Sequence, residues 1–233
     1  MSPTDVAVES VDLATTTVRD LNQRLHDLDP DAPSRWRVAN PNGAHALAVG
    51  IDSPAEVEVD GHVGYYCAGM NKRATVRVNG NCGPGAGENI MSGALVVEGD
   101  ASQSAAATGR GGLVVVKGSA SARCGISMKG VDVVVHGSVG HVAGFMAQKG
   151  TLVVCGDAGE GLGDSIYEAR VYVRGEVAGL GADCVEKEMG DEHRSQLSEL
   201  LERAESDADP GDFRRFGSAR QLYTFKVDHA GAY

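Results

Sequence analysis

Five cysteines (Cys67, Cys82, Cys124, Cys155 and Cys184) are the side chains best suited to metal or redox chemistry, and their spacing supports neither. No two form a Cys-x-x-Cys pair, so a zinc ribbon or an iron–sulfur site within this chain is unsupported. His136 and His141 lie close in sequence with no third ligand of matching geometry nearby. The segment Gly83-Pro-Gly85-Ala-Gly87 is glycine-rich like a phosphate loop, but it lacks the Gly-Lys-Ser/Thr that grips phosphate and magnesium. It reads instead as a tight turn where a neighbouring backbone approaches closely. The acids Asp60, Glu98, Asp132, Asp157 and Asp164 are not gathered at one place, as paired carboxylates for acid–base hydrolysis would be. No serine sits in a nucleophile elbow.

The elements that hold these residues follow from one repeat. A valine-rich strand closed by glycine recurs as VEVDG, VRVNG, LVVEG, VVVKG, VVVHG, LVVCG and VYVRG. The closing glycines are Gly61, Gly80, Gly99, Gly118, Gly137, Gly156 and Gly175, at one constant spacing without insertion or deletion. Two alternating positions are aliphatic in every copy, from Val57/Val59 to Val171/Val173, and alternation places them on one face. Small apolar residues follow each glycine at the second place (Val63, Cys82, Ala101, Ala120, Val139, Ala158, Val177), and a further small residue follows each of these within the same unit. A unit with one strong strand cannot bury its apolar face alone, so the units must stack. The expected fold is all-β: a single-chain right-handed parallel β-helix of about seven 19-residue turns, flanked by N- and C-terminal helices. A left-handed hexapeptide helix needs a multiple of six residues per turn, and a calcium-binding roll needs tandem nonapeptides; neither fits. On this helix Cys67 and Cys124 lie three turns apart, roughly 14 Å, which is too far for a disulfide.

The divisions expected are an N-terminal helical arm (1–33), a capping segment (34–56), the β-helix (57–185), a C-terminal helix (186–206) and a docking tail (207–233). In the arm, Thr16-Thr17-Val18-Arg19-Asp20 is a capped helix start, followed by Leu21, Leu25 and Leu28 at helical spacing. The capping segment holds the lone Trp36 and is expected to form an irregular first turn. The chain has 32 acidic against 21 basic residues, a net charge of −11, which argues against nucleic-acid binding and docking on anionic lipid. No apolar run approaches the ~20 residues of a membrane span, and the N-terminus lacks a signal-peptide pattern, so a cytoplasmic protein is expected.

Two features are interface candidates. Val96, Val115, Val134 and Val153 occupy the outward place between the inward aliphatic residues of four consecutive strands. Stacked, they make an apolar ridge that either a terminal helix of the same chain or a partner must cover. The tail concentrates Phe213, Arg214, Arg215, Phe216, Arg220, Tyr223 and Phe225 on a chain with only 5% aromatics. Arg and aromatic side chains dominate interface energetics, so the tail is expected to dock on a partner subunit, or failing that on the ridge.

The coil segments GHVGYYCAGMNKR, GNCGPGAGENIMSG, GSASARCGISMKG and GDAGEGLGDSIYEA resemble the GXGXG domain of glutamate synthase large subunits, a domain also similar to one of the subunits of formylmethanofuran dehydrogenase. With VDLATTTVRDLNQRLHDL before the coil and FRRFGSARQLYTF after it, the stand-alone chain most resembles the GXGXG subunit of N-methylglutamate synthase. The resemblance implies a scaffold with no catalytic, cofactor or metal residues of its own. It also implies a hetero-oligomer with a class-II glutamine-amidotransferase-like subunit and a glutamate-synthase-like subunit that binds FMN and an iron–sulfur cluster. The holoenzyme would make N-methylglutamate from glutamate and methylamine. A subunit of a glutamine- or ammonia-dependent glutamate synthase is the alternative within the class, and a stand-alone β-helix enzyme is the alternative outside it.

Overall fold

Parallel strands stacked one per coil form the body of the protein, which the computed structural model describes over residues 6–221. The elements in chain order are β1 (Val8–Asp12), α1 (Val18–His26), β2 (Ser34–Ala39), β3 (Ala55–Asp60), β4 (Thr75–Val78), β5 (Ala94–Val97), β6 (Leu113–Val116), β7 (Lys129–Val135), β8 (Lys149–Val154), β9 (Arg170–Val173), β10 (Cys184–Lys187), α2 (Asp191–Arg203) and β11 (Arg214–Ser218). Strands β1 to β9 pair in sequence, all parallel. The sheet then ends β9-β11-β10, with β11 antiparallel to both neighbours. From β3 onward the register advances by the repeat length: Val57 opposes Val76, which opposes Leu95, Val114, Val133, Leu152 and Val171 in turn. These side chains and their partners two places on, from Val59 to Val173, are fully buried and fill the narrow interior.

A second side of each coil is a ladder of single bridges through the small residues after the glycines, from Val63–Cys82 to Ala158–Val177. Along it runs a column of polar side chains, each accepting the backbone N–H of its counterpart one coil later. Asn81 Oδ1 accepts from Asp100 (2.9 Å), Asp100 Oδ1 from Ser119 (2.8 Å), Ser119 Oγ from Ser138 (3.2 Å), Ser138 Oγ from Asp157 (2.9 Å) and Asp157 Oδ1 from Glu176 (2.8 Å). The closing glycines exist because of this column. A Cβ on Gly99, Gly118, Gly137 or Gly175 would run into the side-chain oxygen one coil below and into the backbone of the preceding closing glycine.

The third side, here called the turn wall, alternates left- and right-handed backbone. In one coil Gly85, Gly87 and Asn89 have φ of +72°, +66° and +57°; in the next Ser104, Ala106 and Thr108 have +61°, +58° and +55°. Their amides point alternately up and down the axis: Gly85 donates to Gln103 O (2.9 Å), Gly87 to Cys67 O (2.8 Å) and Asn89 to Ala107 O (2.9 Å). Every second residue must therefore be left-handed for the coils to bond, which is the physical content of the Gly-x-Gly spacing. Where the residue is not glycine it carries about 1 kcal/mol of strain or more, most of all β-branched Val142 at φ +50°.

The ends differ from what the sequence pattern predicts. Residues 34–56 are not an irregular cap but a full coil: Ser34 opposes Ala55, Trp36 opposes Val57 and Val38 opposes Val59. Asn40, at φ +54°, replaces the closing glycine there, and the interval from Trp36 to Val57 is slightly longer than the repeat. Residues 1–33 are more than a helical arm, because β1 adds a further parallel strand with Val8 opposite Arg35. The extra length of that first coil is α1, capped by the Thr17 side chain accepting from Asp20 N–H. Its Leu21 and Leu25 are buried in the end of the core. The C-terminal helix α2 is shorter than the 186–206 expected, because β10 takes the residues up to Lys187. Described residues of the tail fold onto the solenoid, and Tyr223 and Phe225 lie outside the described residues.

Candidate functional site

The ridge of outward valines is covered by the chain's own helix. Val115, Val134, Val153 and Tyr172 are buried, with Val96 at the edge, against Leu197, Leu200, Leu201 and Ala204 of α2 and against Phe213. The helix seats there because its leucines repeat at three- and four-residue spacing, while Glu192, Glu199 and Glu202 stay in water. Of the two coverings open from the sequence, the terminal helix holds, and the four valines are not a surface left for a partner.

Polar contacts pin α2 at its middle and its end. Midway along it, Arg170 Nη1 donates to Gln196 Oε1 (2.5 Å). At its end, the Ala204 carbonyl accepts from both Lys117 Nζ (2.7 Å) and His136 Nε2 (3.0 Å), and Lys117 also binds Glu205 Oε2 (3.0 Å). Both donors satisfy an orphan carbonyl, and the Lys117 cation opposes the negative end of the helix dipole. Arg203 approaches Asp132 at 3.9 Å, and burial raises the Asp132 carboxyl above its ordinary value, against the Thr151 hydrogen bond and the Arg203 charge.

His136 titrates below its usual 6.5, chiefly through desolvation and then through the Lys117 charge, with the Ala204 bond and the charges of Glu205 and Glu98 opposing. A histidine depressed in the folded state binds fewer protons than in the unfolded chain. Its contribution to stability is therefore complete above about pH 6.5 and declines as pH falls through that value toward the folded pKa. His136→Gln keeps a donor for Ala204 without the titration. In thermal melts taken at about pH 7.5 and about pH 5.5, the wild type is expected to lose more stability than this variant on acidification. An identical loss in both would show that His136 carries none of the slope.

The tail residues separate into two groups. Phe213 packs under α2, and Phe216 closes the C-terminal end of the main core. Strand β11 places Phe216 opposite Val171 on one side and Glu186 on the other. The arginines turn outward: Arg214 Nη2 binds Gly175 O (3.1 Å), Arg215 Nε binds Glu188 O (2.9 Å) and Arg220 Nη2 pairs with Glu168 (3.0 Å). The tail's two described phenylalanines thus hold its own solenoid, and neither is displayed to a partner.

No group of three or more His, Cys, Asp and Glu side chains able to hold a metal occurs among the described residues. The cysteines are buried, and burial pushes the Cys124 thiol up to about 12 and Cys184 to about 11. Cys82 is raised too, first by its hydrogen bond with Cys67 and then by desolvation. Thiols so placed behave as small core hydrophobes. An open groove of about 460 Å³ runs beside the end of α2, lined by Leu201, Glu202, Glu205, Asp207 and neighbours. Its carboxylates offer no counter-charge for a nucleotide phosphate. No helix among the described residues is long and apolar enough to cross a membrane.

These features define a parallel β-helix built from 19-residue coils, closed by its own terminal segments and organised around surfaces. The chain is 60% identical over 225 residues to Protein GlxC of Rhizobium meliloti (strain 1021), an alignment covering 96% of this chain and 99% of that protein. At that identity and coverage the chain belongs to the GlxC family. No family model matches it, and no solved structure does.

Proposed function

We propose that the chain is the non-catalytic structural subunit of a multi-subunit N-methylglutamate synthase, whose holoenzyme makes N-methylglutamate from glutamate and methylamine with release of ammonia. The observation that carries the reading is the combination of the GXGXG-type coil with two particular flanks. The VDLATTTVRDLNQRLHDL segment supplies α1, and FRRFGSARQLYTF supplies β11 over its described part. The near end-to-end match to GlxC spans those flanks as well as the coils. The role of scaffold accords with the use of Lys117, His136 and Arg170 in seating α2 and of Asp100 and Asp157 in stacking the coils. In this reading an amidotransferase-like subunit and a flavin- and iron–sulfur-bearing subunit carry the chemistry, and this chain holds them in place in the cytoplasm.

Purifying the chain under native conditions through an N-terminal tag and identifying co-purifying chains by mass tests the proposal. Two larger subunits of those types in fixed ratio are expected. Purification of the chain alone, or with unrelated proteins, would sink it.

A further inference from the structure

We propose that the outward face of the turn wall, over the coils carrying Ile126 and Phe145, is the docking surface for a partner protein with an apolar contact patch rimmed by carboxylates. The inference rests on the subunit reading above and locates the interface within it.

Of the solenoid's outer faces, the strand sheet is covered by α2 and the bridge ladder is occupied by its polar column. The turn wall has no such cover among the described residues. Ala107, Ile126, Phe145 and Asp164 occupy one register place in successive coils, each carbonyl accepting the N–H of the left-handed residue one coil earlier. That place faces outward, since Glu88 and Asp164 hold it at either end of the row. Ile126, Phe145 and Met146 are half-buried and belong to neither apolar cluster. Tyr65, Met70 and Met91, all exposed, continue the same wall through the earlier coils.

Charge identifies the occupant. Arg110, Lys129 and Lys149 stack along one edge of the wall: Lys129 and Lys149 are register partners, and Arg110 holds the place of Lys129 one coil earlier. All three are exposed and enter no ion pair or side-chain hydrogen bond among the described residues. On a protein of net charge −11, like charges on adjacent strands without carboxylate partners are unfavourable unless something acidic meets them. A second copy of this chain does not fit that role. Its α2 carboxylates Glu192, Glu199 and Glu202 stand on a helix whose leucines are all turned inward, leaving nothing apolar beside them to meet Phe145.

The test uses the full chain in its native assembly. Lys129→Glu/Lys149→Glu and Phe145→Asp are compared with Glu199→Lys/Glu202→Lys on the outer face of α2, and each free chain is melted to confirm that it folds. Both wall variants are expected to retain the partner subunits at least about tenfold more weakly than wild type, with raised salt weakening the wild-type assembly in the same way. The α2 variant should assemble normally. Wall variants that assemble like wild type would overturn the proposal while leaving the subunit reading intact. So would a free chain that self-associates and becomes monomeric on Phe145→Asp. A wild-type chain that brings down no defined subunit would overturn both.

Discussion

Gly137→Ala is expected to destabilise the protein by roughly 2–3 kcal/mol, although it adds only one methyl group. Gly137 has no positive φ to preserve; the obstacle is space. A Cβ there would stand 2.8 Å from the Gly118 carbonyl oxygen and would press on Ser119 Oγ. Because coils stack on one another, the displaced backbone cannot relax without disturbing the bond from Ser138 N–H to Ser119. Gly43, with φ +74° and nothing within 4 Å of its would-be Cβ, is the control: Gly43→Ala is expected to cost about 1 kcal/mol, from strain alone. Urea unfolding midpoints compare the two. A Gly137 variant no weaker than the Gly43 variant would show that the closing glycines serve something other than close coil contact.

Truncation after residue 206 should have an effect at least as large. The lost segment includes β11, the strand between β9 and β10, so both neighbours lose their hydrogen-bonding partner. It also includes Phe213 and Phe216, which are 5% and 2% exposed. At about 1.5–3 kcal/mol for burial of each phenylalanine, the apolar loss alone is roughly 3–6 kcal/mol. Phe216→Ala in the full chain should reproduce about 3 kcal/mol or more of it by leaving a cavity at the end of the core. A truncated chain that melts with the intact one would mean that β11 is an appendage.

The contrast between these two regions shows what the sequence discloses. The coils from β3 to β9 were legible because each obeys a local rule repeated without insertion: two inward aliphatics, a closing glycine, a small residue two places on. Strand β2 obeys the same packing, while β1 keeps the register but buries only Val11, with Glu9 at the place of Trp36; α1 lengthens the first coil, the second also exceeds the repeat, and Asn40 replaces glycine. Periodicity therefore passes over them. The tail was hard to read for a different reason. Aromatic and arginine content marks a residue that will be buried or bound, and composition does not say against what. Only the antiparallel register of β11 with β9, a non-local pairing, assigns Phe216 to the core. The ridge of Val96, Val115, Val134 and Val153 was legible as a surface needing a cover, and the leucine spacing of α2 was legible as a cover; joining them required the fold. The turn wall was hidden because its rule is one of backbone handedness, satisfied by Ala, Ser, Thr, Asn and Met as well as Gly.

A division of labour between this scaffold and catalytic partners is the central claim, and one assay addresses it most directly. The natively purified assembly and the isolated full chain are each supplied with glutamate and isotope-labelled methylamine, and labelled N-methylglutamate is measured by mass. The account predicts product from the assembly and none from the chain alone. Turnover by the isolated chain, or an assembly that contains the chain and leaves methylamine untouched, would contradict it.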